Sequence, residues 1–230
     1  MKPLAECKLY AFVDTAYLNG RKPEFIAQQL CDGGADLIQL RAKKSSLEEI
    51  RSMAEAILPI TSRANVGLVI NDHLSMAREV GAEFCHLGQE DFFGHDPAPL
   101  PLPKGEGRGE GEHTVHQPTV HDNAAGELQI GLSTHSPDQA HKAITAGAHY
   151  IAIGPVYATG TKPGAKPVTH EYVRWAAANV KIPWFAIGGI NLENVSDVLA
   201  AGAQRICVVS AILNSQDVAE ACRRFKKRLK

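Results

Sequence analysis

Eight short apolar runs, each followed by a turn and nearly all then by a helix-like segment, constrain this chain more than any other feature. They are centred on Leu9 to Val13, Leu37-Ile38, Val66 to Ile70, Phe84 to Leu87, Leu128 to Leu132, Tyr150 to Ile153, Trp184 to Ile187 and Ile206 to Val209. Val66-Gly67-Leu68-Val69-Ile70 has no polar alternation, as expected of a strand covered on both faces. Strands that alternate with helices pair in parallel, because each helix carries the chain back to the start of the next strand. Eight repeats favour closure into a (β/α)8 TIM barrel over an open doubly wound sheet, and 230 residues suit a fold for which roughly 250 is typical. The expectation is one domain over 1–230.

The helices carry their own punctuation. Pro23 to Gly33 is closed by Gly33-Gly34, and Ser45-Ser46 with Glu48-Glu49 marks a capped start for a helix reaching about Pro59. Further helices are predicted over Leu74 to Val80, from Ser136-Pro137 through Ala146, over Thr169 to Asn179, from an Asn191 cap to about Gly202, and after strand eight as a final amphipathic helix with a basic end, Arg223 to Lys230. The rhythm fails once. Residues 94–126 are rich in Pro, Gly, His and charge, too poor in apolar surface to offset the entropy of ordering. This stretch reads as a flexible low-complexity insertion replacing the helix after strand four. The irregular spacing of His95, His113, His116 and His121, with no accompanying cysteine, argues against a metal site there.

A formal net charge of -1 leaves no basic footprint for nucleic acid or an anionic membrane. The five cysteines are odd in number and widely spaced, which suits reduced thiols in a cytoplasmic protein. No apolar run is long enough to span a bilayer.

In such a barrel the C-terminal strand ends share one mouth, where active sites form. After strand two, Gln39, Arg41 and Lys43 sit at i, i+2 and i+4, projecting from one face as a donor-rich cluster for a polyanion such as pyrophosphate. The alternative is a solvated basic strand end. After strands seven and eight, Gly188-Gly189 and Val209-Ser210 precede helix starts, where backbone N–H groups can approach a phosphate; the alternative is a tight turn alone. Asp72 after strand three and Asp91 after strand four are either helix caps or a carboxylate pair for Mg2+, which takes one or two carboxylates plus phosphate oxygens. Ser133, His135 and the run Thr159-Gly160-Thr161-Lys162 add hydroxyls and a cation between the two anion sites. The pattern suggests two small phosphorylated ligands facing one another.

As an ordered set these motifs resemble the thiamine phosphate synthase family: Gln39-x-Arg41-x-Lys43, Asn71-Asp72, His86-Leu87-Gly88-Gln89-Glu90-Asp91, Gly131-Leu132-Ser133-Thr134-His135, Gly154-Pro155-Val156-Tyr157 with Thr159-x-Thr161-Lys162, Ile187-Gly188-Gly189-Ile190 and Val208-Val209-Ser210. The resemblance implies a transferase of thiamine biosynthesis. It joins 4-amino-2-methyl-5-hydroxymethylpyrimidine diphosphate to 4-methyl-5-(2-phosphoethyl)thiazole by dissociative, Mg2+-assisted alkyl transfer, releasing pyrophosphate. It further implies that Gln39, Arg41, Lys43 and Asn71 hold the diphosphate and that Asp72 and Asp91 bind Mg2+. Ser133 and Lys162 then lie near the reacting diphosphate, and Thr159, Thr161, Gly189, Val209 and Ser210 surround the thiazole phosphate. His73 departs from relatives that carry another acid there, and the insertion departs from the usual fourth helix. A thiazole tautomerase-like isomerase, using His135 as acid or base, and a non-catalytic phosphate-ligand binding protein are the competing readings. A homo-oligomer is left open.

Overall fold

Parallel pairing closes the strands into a barrel in sequence order, β1 to β8, in a computed structural model that describes residues 2–94, 128–160 and 166–229. The strands are β1 (Leu9–Asp14), β2 (Leu37–Arg41), β3 (Gly67–Asn71), β4 (Phe84–Leu87), β5 (Gln129–Thr134), β6 (Tyr150–Ile153), β7 (Trp184–Ala186) and β8 (Ile206–Cys207). Every residue of β1 is buried, as a strand covered by helices outside and side chains inside requires. The interior below the mouth is aromatic: Tyr10 and Tyr150 meet Phe185 edge to face at centroid distances of 5.4 and 5.8 Å, and Phe84 meets Tyr150 at 6.2 Å. These rings fill the barrel and give the cavity above them a rigid floor.

The helices are α1 (Pro23–Asp32), α2 (Leu47–Arg63), α3 (Leu74–Val80), α4 (Gln89–Phe93), α5 (Pro137–Thr145), α6 (Thr169–Asn179), α7 (Val195–Ala200), α8 (Ser210–Leu213) and α9 (Val218–Lys226). Ser46 caps α2 reciprocally: its hydroxyl accepts the Glu49 N–H while Glu49 accepts the Ser46 N–H at 2.7 Å. The helix then runs beyond Pro59 to Arg63. Pro59 removes one backbone donor, but Ile57 and Thr61 continue the buried face on either side of it, and that burial carries the helix through.

Besides the longer α2, three departures from the expected elements lie near the mouth. A short helix, α4, occupies Gln89–Phe93, although the expectation was that the insertion replaces the helix after strand four; Lys142 of α5 lies 3.9 Å from the Phe93 ring centroid and helps hold it. Asn191 does not cap α7. Its carboxamide oxygen accepts the Glu193 and Asn194 N–H groups, making a side-chain-closed turn that delays the helix to Val195. Finally, β8 stops at Cys207, and the helix expected from Ser210 is split into α8, with Val209 at its N-cap position, and α9. Apart from Gly94, residues 94–126 lie outside the described residues, as do His95, His113, His116 and His121.

At the opposite end of the barrel from the mouth, Asp36 joins three parts of the chain. Its carboxylate accepts the N–H groups of Lys8 and Leu9 at 2.8 and 2.9 Å, Lys2 Nζ at 3.0 Å, and Lys226 Nζ from α9. Burial pushes this carboxyl up, but the Leu9, Lys226, Lys8 and Lys2 donors outweigh it and hold the carboxyl below its ordinary value.

Candidate active site

The strand ends surround a cavity of about 410 Å³ lined by every described residue to which the sequence reading assigns a ligand: Gln39, Arg41, Lys43, Asn71, Asp72, Asp91, Ser133, Thr159, Gly189, Val209 and Ser210. Thr161 and Lys162 lie outside the described residues. A hollow of about 620 Å³ between α5 and α6 shares His135 and Pro155 with this cavity but none of the basic cluster, which lines the mouth.

The three donors of the Gln-x-Arg-x-Lys motif sit at different depths. Gln39 is 2% exposed, with its amide nitrogen on Tyr10, while Arg41 is half-buried and Lys43 exposed. Arg41 Nη1 is 2.8 Å from Asp14 Oδ2, and the other Asp14 oxygen accepts the Ala16 N–H at 3.0 Å. The sequence reading assigned Asp14 no role. The β1–β2 register sets it opposite Arg41, where a 1%-exposed carboxylate holds the guanidinium toward the cavity.

Beside this pair, Asp72 has a backbone φ of 65°, in the left-handed region that aspartate tolerates better than most side chains. The Asp72 N–H donates to the His86 carbonyl at 2.9 Å, turning the chain so that Asn71 and Asp72 both face the cavity. The Asp72 carboxylate receives Asn71 Nδ2 at 2.6 Å and lies 3.1 Å from Lys43 Nζ. Asp91 accepts the Gly88 N–H at 3.2 Å, so its helix-capping role is real, and it still lines the cavity. Among the described residues no three His, Cys, Asp or Glu side chains converge on a metal position. Two carboxylates alone fit Mg2+, whose remaining ligands are ordinarily water and substrate phosphate.

On the far wall, Gly188 and Gly189 adopt φ of 103° and 65°. A Cβ on Gly189 would lie 2.7 Å from the Ala158 carbonyl oxygen and 2.7 Å from Tyr157 Cβ. Only glycine keeps backbone open to a ligand at this point. Val209 and Ser210 lie alongside. His135 is oriented from two sides: its ring Nδ1 bonds the Gly154 carbonyl, and its N–H donates to Gln139 Oε1 at 2.7 Å. No thiol is poised as a nucleophile: burial pushes Cys7 up to about 11, Cys85 up to about 12, and Cys207, which lines the cavity, well above its ordinary range.

With the geometry in place, comparison with known proteins is specific. Residues 9–95 and 111–212 match the thiamine monophosphate synthase family, and the match is interrupted inside the low-complexity stretch. A thiamine-phosphate synthase of Halalkalibacterium halodurans is 34% identical over 223 residues, covering 96% of this chain and 95% of that one. That of Thermus thermophilus is 39% identical over 198 residues, covering 86% and 84%. The structure of thiamine phosphate pyrophosphorylase from Pyrococcus furiosus superposes with a TM-score of 0.76 at 26% identity, covering 98% of this chain and 96% of that one. The two sequence relatives carry the synthase name and the solved structure that of a pyrophosphorylase; none of the three is named as an isomerase or a binding protein. Over nearly its whole length, then, the chain belongs to the thiamine monophosphate synthase family, and it is a transferase.

Proposed function

We propose that the cavity joins 4-amino-2-methyl-5-hydroxymethylpyrimidine diphosphate to 4-methyl-5-(2-phosphoethyl)thiazole, with the diphosphate on the β2–β4 side and the thiazole phosphate on the β7–β8 side. One observation carries this reading: a paired-up cation cluster and a glycine-lined wall open into a single cavity of about 410 Å³. Gln39, Arg41, Lys43 and Asn71 bind the diphosphate, with Ser133 at its reacting end, and Thr159, Gly189, Val209 and Ser210 seat the thiazole phosphate. Lys162 and Thr161, which lie outside the described residues, are assigned to these two sites by the family resemblance alone.

Asp72 and Asp91 would hold Mg2+, which when bound neutralises charge on the phosphate oxygens. Lys43, now on Asp72, is free to exchange that carboxylate for a phosphate oxygen once the diphosphate arrives. As the C–O bond to pyrophosphate breaks, Arg41 and Lys43 meet the growing negative charge, each such preorganised donor contributing about 3–4 kcal/mol to the barrier reduction. The electron-rich aminopyrimidine bears the cation until the thiazole nitrogen captures it. This dissociative course requires no covalent enzyme intermediate, in keeping with the buried thiols.

We also read the chain as one domain with 94–126 inserted in it, a reading supported by the interruption of the family match between 95 and 111. Reduced cysteines support a cytoplasmic setting, and among the described residues no helix is long and apolar enough to cross a membrane. An end-point assay for thiamine phosphate, run with both substrates and either Mg2+ or a chelator, tests the proposal. Product only with the metal is expected; none from folded protein with both substrates and Mg2+ would refute it.

A further inference from the structure

Along the floor of the cavity a row of polar side chains from five strands crosses the barrel interior, and all of them but Tyr150 line the cavity. Gln39 Nε2 lies 2.5 Å from the Tyr10 hydroxyl, and that hydroxyl lies 3.2 Å from the hydroxyl of Tyr150. Tyr150 OH is 3.3 Å from His86 Nδ1, and His86 Nε2 is 2.9 Å from Ser133 Oγ. Gln39, Tyr10 and Tyr150 are no more than 2% exposed, and His86 is 8% exposed.

We propose that this chain of hydrogen bonds has one direction, and that it makes Ser133 a hydrogen-bond donor toward the departing diphosphate, with Tyr10, Tyr150 and His86 as positioning residues. The proposal rests on the reading of Ser133 as a residue at the reacting diphosphate. The direction follows from counting hydrogens. An amide nitrogen can only donate, so Tyr10 accepts from Gln39. Tyr10 has one hydroxyl hydrogen, which in a buried site needs an acceptor, and Tyr150 is within reach. Tyr150 then passes its own hydrogen to His86 Nδ1. A neutral imidazole accepting at Nδ1 carries its proton on Nε2, which donates to Ser133 Oγ. With that lone pair engaged by His86, the serine hydrogen turns to the cavity that Ser133 lines.

The reverse direction would have Tyr10 accept from both neighbours, leaving its hydrogen with neither as acceptor in a 1%-exposed site. It would also present serine lone pairs to an anion that itself only accepts. Burial, the largest influence on both phenols, raises them well above their ordinary range, so both keep their hydrogens. The backbone makes room for this path: a Cβ on Gly131 of β5 would fall 2.0 Å from Tyr150 Cζ, so the strand is bare where the ring passes.

The direction is read by NMR of ¹⁵N-imidazole-labelled protein without substrates, with the His86 signals assigned by their loss in His86→Gln. A protonated Nε2 and an unprotonated Nδ1 are expected, giving way to mixed tautomers in Tyr150→Phe. A protonated Nδ1 in the unmodified protein, or no change in Tyr150→Phe, overturns the chain whatever the reaction. In kinetics, Tyr150→Phe should lower kcat roughly tenfold with KM for both substrates little changed, the size expected for one lost hydrogen bond. That loss should vanish in a Ser133→Ala background; the same tenfold loss persisting there would overturn action through serine. If Ser133→Ala itself turns over normally, the donor role falls together with the placement of Ser133 at the diphosphate, even where the tautomer is as expected.

Discussion

Replacing Arg41 with Met removes a proposed diphosphate ligand and, in the same stroke, strands Asp14. The two effects can be separated. Asp14 is 1% exposed, and its Oδ2 is 2.8 Å from Arg41 Nη1, so the substitution leaves a buried carboxylate with, among the described residues, only the Ala16 N–H. Removing one partner of a buried pair typically costs about 3–5 kcal/mol. The low end, about 3 kcal/mol, applies because the vacated space opens into the cavity and admits water. At roughly 2–4 °C per kcal/mol for a chain of this size, Tm should fall by about 6–12 °C. Adding Asp14→Asn removes the stranded charge, and the double variant should recover most of that loss. Turnover should stay down in both, by about 10²–10³, because the guanidinium facing the departing pyrophosphate is gone. Thermal unfolding by circular dichroism and steady-state assay of the three proteins decide the matter. An Arg41→Met protein with wild-type Tm, or a double variant no more stable than the single, would refute the argument that Asp14 is held by Arg41. Near-normal turnover in either would refute the diphosphate assignment.

Asp36→Asn should lower stability at neutral pH by about 2 kcal/mol, since the lysine partners are about a third exposed and keep some hydration. Because the folded-state carboxyl is held below its unfolded value, this contribution is present above about pH 4 and disappears as pH falls through the folded value. Urea titrations of both proteins from pH 7 to pH 3 should therefore converge, and a constant gap would contradict the assignment. Gly189→Ala places a Cβ 2.7 Å from the Ala158 oxygen at a φ of 65°. Initial-rate kinetics should show KM for the thiazole phosphate raised about 5- to 150-fold, with KM for the diphosphate little changed, as overpacking of about 1–3 kcal/mol requires. Ser46→Ala, far from the cavity, should cost about 1 kcal/mol in thermal unfolding with turnover unaltered.

The barrel and most of its mouth were legible in the sequence because their signals are local. Apolar runs and helix punctuation recur within short windows, and the polar residues at each strand end follow directly on the run that positions them. What escaped depends on register or on distance along the chain. Asp14 was visible as a strand-ending acid, but only the β1–β2 register shows that it faces Arg41. The hydroxyls of Tyr10 and Tyr150 meet across 140 residues of chain, and nothing near either tyrosine marks the other. Gly131 read as one glycine in a motif, whereas its task is to leave space for a ring from the next strand. The shortness of β8 was hidden because Val208 and Val209 continue its apolar run, although Val209 already turns to begin α8.

That short strand is the seam of the barrel. β8 pairs with β1 only at Leu9 with Ile206 and Tyr10 with Cys207, and with β7 only at Ala186 with Ile206. A ring of staves is as tight as its narrowest joint, and here the narrowest joint leads straight into Val209 and Ser210. On the proposed placement, a phosphate held by those backbone groups and by Gly189 would bridge the two sides of the seam. The substrate would then act as a hoop: a ligand that binds only the closed form stabilises it in proportion to its affinity, so thermal unfolding should shift upward when the thiazole phosphate is added.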